Sequence, residues 1–308
     1  MSTLSPRLLK LTILFFILGI FFTNYLLYLC YRGNIRHSSI GINTIENKHN
    51  SSNWLKIWEK KGTSALNDTE PLHYASGFNQ IKLDQWRKLV ATVINANEGS
   101  LKRFKKGDHI VDFGCGAGAF LDALGAATKT DRLVKLPNGL NDLNVYGIDY
   151  SETLLHVARK RVVNGAPGHF FNSDIKNVKF LLDGSFDHSI SWSVFFYLNS
   201  LEDAISVLRE MVRVIKINGS IIIADVSSKE KEDLARTLRG KSTYYTKMQQ
   251  KRGATPDHLY YPKEFFLETL PKLGVRVDAI IDESDMKPSL SFYEPSQYRF
   301  TVFATKVE

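Results

Sequence analysis

The chain has 308 residues, 44% of them hydrophobic and 23% charged, with a formal net charge of +8. Nothing in that composition is extreme, which excludes the compositionally biased classes and leaves room for one large domain plus appendages. Cysteine is limited to Cys30 and Cys115, so an internal disulfide framework is excluded too. The excess of Lys and Arg suits an anionic membrane or an acidic acceptor, but no interleaved basic-aromatic motif points to nucleic acid, and none is expected as a partner.

After a short tail at 1–10, no charged residue occurs from Leu11 to Tyr31. A helix of ~20 apolar residues spans a bilayer, and Tyr25, Tyr28 and Tyr31 suit its interface. Residues 11–31 are therefore expected to form a single-pass transmembrane anchor. A cleaved secretory signal fits less well: Arg7 and Lys10 make a basic start, but the run is too long and no small-x-small pattern follows Tyr31. Arg7 and Lys10 face Arg32 and Arg36 across the span, so the positive-inside comparison is nearly balanced. The triplets Asn50-Ser51-Ser52 and Asn67-Asp68-Thr69 would suit a lumenal domain, whereas a free thiol at Cys115 suits a reducing compartment. A cytosol-facing domain is the expectation.

Residues 32–53 are polar and read as a tether, with the domain proper at 54–308. Asn53 is placed to cap a short helix with Trp54, Ile57 and Trp58 on one face, for docking on the domain or for lipid contact. An amphipathic helix follows over Leu83, Trp86, Leu89, Val90, Val93 and Ile94. Lys102, Arg103, Lys105 and Lys106 then form a basic cluster, a solvated face or a contact for anionic headgroups.

Ile110, Val111 and Phe113 give His109–Phe113 the character of a buried strand, and Gly114, Gly116 and Gly118 make the turn after it. Gly114, Gly116 and Ala119 satisfy the relaxed dinucleotide fingerprint, in which a pyrophosphate sits on a helix N-terminus. Asp112 argues against that ligand, because an acid at the strand's end repels a pyrophosphate. A second apolar strand, Val145–Asp149, also ends in an acid, and Ser151 caps the helix behind it. Such an acid can take paired hydrogen bonds from ribose hydroxyls at the carboxyl end of a parallel sheet. A third strand over His169–Asn172 runs into Ser173-Asp174-Ile175. Taken singly, Asp149 or Asp174 would read as a helix cap. Acids ending successive strands read as a ligand site.

This acid-x-Gly-x-Gly-x-Gly pattern with its downstream acids resembles the class I S-adenosylmethionine (SAM)-dependent methyltransferases, from about Leu72 to the C-terminus. The resemblance implies SAM as cofactor and a cofactor set of Asp112, Gly114, Cys115, Gly116, Gly118, Asp149, Tyr150, Asp174, Ile175 and Trp192. Within it, Asp174 would accept from the adenine amino group and Ile175 would cover the ring. In such enzymes a segment ahead of the first strand folds over the cofactor, which makes Tyr74 and Phe78 lid residues or ordinary core. The polar stretch Asp131–Asn144 lengthens the gap from Asp112 to Asp149 beyond the usual ~20 residues and reads as a surface insertion.

Phe186–Trp192 is the expected fourth strand, and no Asn/Asp-Pro-Pro-aromatic sequence follows it. Aromatic residues in Ser193–Tyr197 are placed to face a sulfonium or to fill core. A helix is expected from Leu201 to Ile217, ended by Asn218-Gly219, with a fifth strand over Ser220–Asp225. Residues 226–261 read as an acceptor-side insertion. His258, with Tyr260 or Tyr261, is the expected base where the acceptor must lose a proton. Pro262 opens a helix to about Leu270, and strands at Val275–Asp282 and Gln297–Thr305 close the chain as an antiparallel pair. The expected fold is thus α/β, a doubly wound seven-stranded sheet with the last strand reversed. The function that follows is methyl transfer from SAM to an O or N atom of a small-molecule or lipid acceptor, without a metal. A protein or peptide methyltransferase, a non-catalytic SAM-binding module and a dehydrogenase are the alternatives.

Overall fold

A computed structural model describes residues 51–66, 72–78, 80–97, 104–130, 142–161, 168–241 and 257–308. The expected anchor, most of the tether, the basic residues Lys102 and Arg103 and most of the Asp131–Asn144 stretch lie outside them. No helix among the described residues is long and apolar enough to cross a membrane.

The chain runs α1 (Ser51–Leu66), α2 (Leu72–Ala75), α3 (Leu83–Asn95), β1 (His109–Phe113), α4 (Ala119–Thr130), β2 (Asn144–Asp149), α5 (Glu152–Arg161) and β3 (Gly168–Asn172). It continues through β4 (Phe186–Trp192), a 3₁₀ turn at Phe195–Tyr197, α6 (Leu201–Val214), β5 (Ile215–Ser227), α7 (Glu232–Lys241), α8 (Lys263–Thr269), β6 (Val275–Asp282) and β7 (Arg299–Lys306). The seven strands form one sheet in the order β3-β2-β1-β4-β5-β7-β6. Pairings from β3 across to β5 are parallel, and β7 is antiparallel to both β5 and β6. That is the topology expected, with β7 as the reversed strand.

The central strands are apolar at nearly every position because both faces are covered. Along β5, Ile222 and Ala224 point into one core with Trp86, Leu121 and Leu155, while Ile221, Ile223 and Val226 point into a second with Leu208, Met211 and Phe266. Strand order reverses between β1 and β4, so loops leaving their carboxyl ends diverge and open a crevice there.

Three local readings need correction. Helix α6 stops at Val214, not Ile217, and Ile215 is extended and paired with Phe186. The β-branched Ile215 is fully buried in the sheet, which outweighs continuing the helix into the exposed Lys216, Ile217 and Asn218. Asn218, at φ 65°, makes an irregularity within β5 and not a helix end. Val226 and Ser227 also belong to β5, so the stretch read as an insertion from 226 begins as sheet. Finally, α1 begins at Ser51 and runs to Leu66, which puts Asn53 inside the helix and not at its cap.

Helix α1 reaches the domain through α5. Gly62 sits against Thr153 so closely that an added β-carbon would lie 2.2 Å from Thr153 Oγ1 and 2.7 Å from the Leu154 backbone nitrogen. Thr153 Oγ1 in turn donates to the Glu59 carbonyl at 3.1 Å. Because backbone cannot step aside, Gly62→Ala is expected to destabilise the domain by about 1–3 kcal/mol, read as a lower urea midpoint at unchanged m-value.

Candidate active site

A cavity of about 440 Å³ opens at the carboxyl ends of β1, β2 and β4. Asp112, Gly114, Cys115, Gly116, Asp149, Tyr150, Asp174, Ile175 and Trp192 all line it. Gly118 does not. It holds φ 79° and donates its N–H to the Cys115 carbonyl at 2.8 Å, so its part is to shape the turn into α4.

The glycine turn is held from β2. The N–H groups of Gly114 and Cys115 both donate to the Ile148 carbonyl, at 2.8 and 3.0 Å. Asp149 completes the clamp: its Oδ2 accepts from the Gly116 N–H at 2.9 Å and its Oδ1 from the Ser151 N–H at 2.8 Å. Gly114, at φ 82°, has no room for a side chain, since a β-carbon would lie 2.4 Å from Val194 Cγ2. Gly116, at φ 52°, differs: a β-carbon there would meet no atom closer than Ser76 Oγ at 3.6 Å, and would project into the cavity. Its lack of a side chain keeps backbone exposed to a ligand. Gly147 gives space of another kind. The Cys115 thiol and the Phe170 ring both occupy the place of its missing β-carbon.

The electrostatics are unusual. Asp112 is 1% exposed, and its Oδ1 has no hydrogen-bond partner. Burial, helped by the neighbouring Asp149 charge, pushes its carboxyl well above the usual range. Burial also raises Asp149, to about 6, against the lowering effect of the Ser151 and Gly116 N–H groups. Two further buried polar atoms in the cavity wall have no partner, Trp192 Nε1 and Ser76 Oγ. A buried polar group without a partner is costly, and Asp112 Oδ1 is placed to accept from N–H or O–H groups of a ligand in the cavity.

On the β3 side, Asp174 is more exposed and accepts from the Lys176 N–H at 2.9 Å, while Lys176 Nζ bridges towards Asp203 at 3.1 Å. Ile175 beside it is buried and apolar. Across the cavity, Trp192 stacks on Phe120 with ring centres 5.3 Å apart. Phe78 joins the wall, as a lid residue would, and Tyr74 does not. Phe195 and Phe196 fill core, whereas Tyr197 of the same turn reaches the cavity. Trp54 and Trp58 of α1 close the far side, edge-on to Tyr197 at 4.5 and 5.4 Å.

The expected base is not in place. His258 lies behind Trp54 and Phe196, with ring centres at 5.8 and 4.7 Å, and is not part of the cavity wall. Arg239 Nη1 lies 2.8 Å from its Nδ1, and a guanidinium can only donate, so the nitrogen that could accept a proton is taken. Burial and the charges of Arg239, Arg299 and Arg236 hold the ring far below its ordinary pKa and neutral. Tyr261 is fully buried and donates to the Phe195 carbonyl at 2.8 Å, and Tyr260 packs beneath Arg236 and Arg239. None of the three lines the cavity; Trp54 and Tyr197 stand in front of His258. Residues 242–256 of the expected acceptor-side insertion lie outside the described residues.

Sequence reasoning left out Ser76, Phe120, Lys176, Ser193 and Asp203 from the site. Only Ser193 carried a signal, as the residue directly after the fourth strand; the others reach the cavity through packing of separate elements.

Asp112 yields a signed expectation. Its carboxyl is raised on folding, so the wild-type domain loses stability as pH rises from the unfolded value near 4 up through the folded value. Asp112→Asn removes that dependence. Thermal unfolding of the free protein should therefore show the variant gaining over wild type between pH 5 and pH 8, by about 2–4 °C per kcal/mol of relief.

Comparison with known proteins gives one pattern. A family description for a methyltransferase domain matches residues 104–273. A demethylmenaquinone methyltransferase of Staphylococcus epidermidis is 28% identical over 150 residues, 49% of this chain and 52% of the relative. The chain thus spans about half the length of the curated relatives it matches. Among solved structures, Haemonchus contortus phosphoethanolamine N-methyltransferase 1, crystallised with phosphoethanolamine and S-adenosylhomocysteine, superposes with a TM-score of 0.55 at 14% identity, covering 82% of this chain and 49% of that one. Magnesium protoporphyrin IX methyltransferase from Synechocystis, with bound SAM, superposes at 0.50 and 15% identity, covering 85% of this chain and all of that one.

Proposed function

The chain belongs to the methyltransferase-domain family, and on that premise we propose that it transfers the methyl group of SAM to an oxygen or nitrogen atom of a small-molecule or lipid acceptor. The observation that carries the reading is the partnerless oxygen of buried Asp112 in the cavity wall. SAM, when bound, supplies a methyl group activated by sulfonium charge, together with an α-ammonium that suits such a carboxylate. Asp112 would hold the ammonium, which also lowers the cost of its own burial. Gly116 would let backbone approach the nucleoside. Asp149 keeps lone pairs beyond the two N–H groups it accepts, and these would take ribose hydroxyls. Asp174 and Ile175 would receive the adenine, and Trp192 would cover the other side.

The chain's work in such a reaction is alignment and water exclusion, which supply several kcal/mol of the barrier. Apolar walls from Trp54, Trp58, Phe78 and Tyr197 suit that task. An acceptor small enough to enter between them is favoured over a peptide, and the name of the Staphylococcus relative supports a small molecule as well. The uncharged run from Leu11 to Tyr31 supports an enzyme working beside a membrane, and the free thiol of Cys115 supports a domain towards the cytosol. A nicotinamide dinucleotide is disfavoured, since Asp112 and Asp149 face the place of its pyrophosphate.

Isothermal titration with S-adenosylhomocysteine tests the reading. Wild-type protein should bind it and give no heat with NADH. Asp149→Ala should lose at least about tenfold in affinity, a 1.4 kcal/mol effect, and about 1–3 kcal/mol of stability from the N–H groups left buried. Gly116→Val should abolish binding, because a β-branched residue at φ 52° is strained and fills the approach. Tight NADH binding, or normal S-adenosylhomocysteine affinity in Gly116→Val, would overturn the assignment.

A further inference from the structure

Behind the cavity lies a buried polar network that cofactor binding does not use. Ser193 follows β4 and forms part of the cavity wall, and Asp225 lies beside it near the end of β5, 2% exposed. Both are non-glycine residues in the left-handed region, at φ 57° and 58°. The β5–β7 register breaks between Ile223 and Val226, so Asp225 sits on an irregularity of the strand. Such conformations cost energy and persist where surrounding contacts over-determine them. Here the contacts are plain. Ser193 Oγ donates to Asp225 Oδ2, and the Tyr293 hydroxyl donates to Asp225 Oδ1 at 3.1 Å. The Asp225 N–H donates to Glu283 Oε1 at 3.0 Å, and Arg299 Nη1 donates to the Asp225 carbonyl at 2.9 Å. Thr301 also donates to Glu283 Oε1, at 3.0 Å.

The groups facing Asp225 are therefore Ser193, Tyr293, Glu283 and Arg299, whose Nε is 3.8 Å from Asp225 Oδ1. Burial and the neighbouring Asp225 charge push the Glu283 carboxyl up, and burial raises Asp225 as well, against the lowering effect of Arg299 and of the Ser193 and Tyr293 hydroxyls. Asp225 is the acid whose two oxygens each take a hydroxyl donor, with the Arg299 guanidinium beside it. Ser193 has spent its only proton on Asp225, so towards the cavity its hydroxyl can only accept. The cavity wall that includes Ser193 also carries the aromatic or aliphatic Trp54, Trp58, Val194, Tyr197 and Leu198, with Lys176, Asn199 and Asp203 as polar members.

We propose that Ser193 takes the hydrogen of the methyl acceptor while passing its own proton to Asp225, and that the acceptor is a flat, apolar molecule presenting a hydroxyl. In the step, the acceptor O–CH3 bond forms as the S–CH3 bond breaks. The acceptor's O–H proton moves to Ser193 Oγ, the former Ser193 proton moves to Asp225, and S-adenosylhomocysteine leaves neutral. Ser193 is then a catalytic residue and Asp225 a positioning residue that acts through it. The inference rests on the SAM-dependent reading above.

Two measurements test it, with 4-phenylphenol as probe. The first is binding without cofactor, followed by tryptophan fluorescence. Wild type should bind 4-phenylphenol about tenfold more tightly than 4-methoxybiphenyl, which lacks the donor, and Ser193→Ala should erase that preference. The second is the rate of methyl transfer from SAM to 4-phenylphenol relative to 4-phenylthiophenol, whose sulfur ionises readily and needs no base. That oxygen-to-sulfur ratio should fall about a hundredfold in Ser193→Ala and in Asp225→Asn. Asn tolerates the left-handed backbone at position 225, and a misfolded Asp225→Asn still leaves Ser193→Ala decisive. An unchanged ratio in Ser193→Ala, an absent binding preference in wild type, or no transfer to 4-phenylphenol by protein that binds S-adenosylhomocysteine would each overturn the proposal. Failure of wild type to bind S-adenosylhomocysteine would instead overturn the cofactor reading beneath it.

Discussion

The site depends on one carboxylate that holds backbone in place. Asp149, at the end of β2, accepts the Gly116 N–H with one oxygen and the Ser151 N–H with the other. The first bond fixes the glycine turn against the neighbouring strand, and the second fixes the entry to α5. Without it, the turn would have only the two Ile148 carbonyl contacts nearer β1, and Gly116 would be free to choose among backbone conformations. The position of the cavity floor, the spacing of the strand-end acids and the seat of α1 on α5 are all referred to that clamp.

The clamp also explains why two acids can share one apolar hollow. Asp149 has donors on both oxygens, and its carboxyl is raised only to about 6. Asp112 has a bare oxygen and is raised further, in part by Asp149 itself. The free protein thus bears a cost at Asp112 that a cationic ligand lowers. Binding strength in such a site comes partly from relief of an unfavourable state already present, and the same feature makes the free protein less stable than it could be.

Much of this was legible in the sequence, for physical reasons that can be named. Strands carrying Asp112 next to their end and Asp149 at it, and the turn after β3 carrying Asp174, announce themselves by short apolar runs with an acid at or beside the carboxyl end, and the glycine turn by its repeated glycines. The sheet order follows from alternating strands and helices, with the reversed β7 from two strands joined without a long crossover. The roof was half legible: Trp54 and Trp58 share a helix face, but nothing local says whether that face meets lipid, core or ligand. Only the close approach of Gly62 to Thr153, distant in sequence, decides it. His258 was misread because a loop histidine near tyrosines looks accessible, whereas Arg239 and Trp54, from two other elements, occupy its nitrogen and its face. Asp225 was silent, and its pairing with Ser193 with it, because that pairing arises from a break in strand register, which leaves no periodic trace.

That break bears on any attempt to improve the protein. A continuous, regular β5 would keep Ile221, Ile222 and Ile223 in their cores and relieve the unfavourable backbone conformation of Asp225, so a stabilised redesign would tend to straighten it. Straightening would also turn the Asp225 side chain by one strand position, away from Ser193 and out of reach of Tyr293. The irregular stretch of the strand is thus where robustness and chemistry compete within this chain, and a heat-tolerant version reached by smoothing it would keep the shape of the enzyme while losing its wiring.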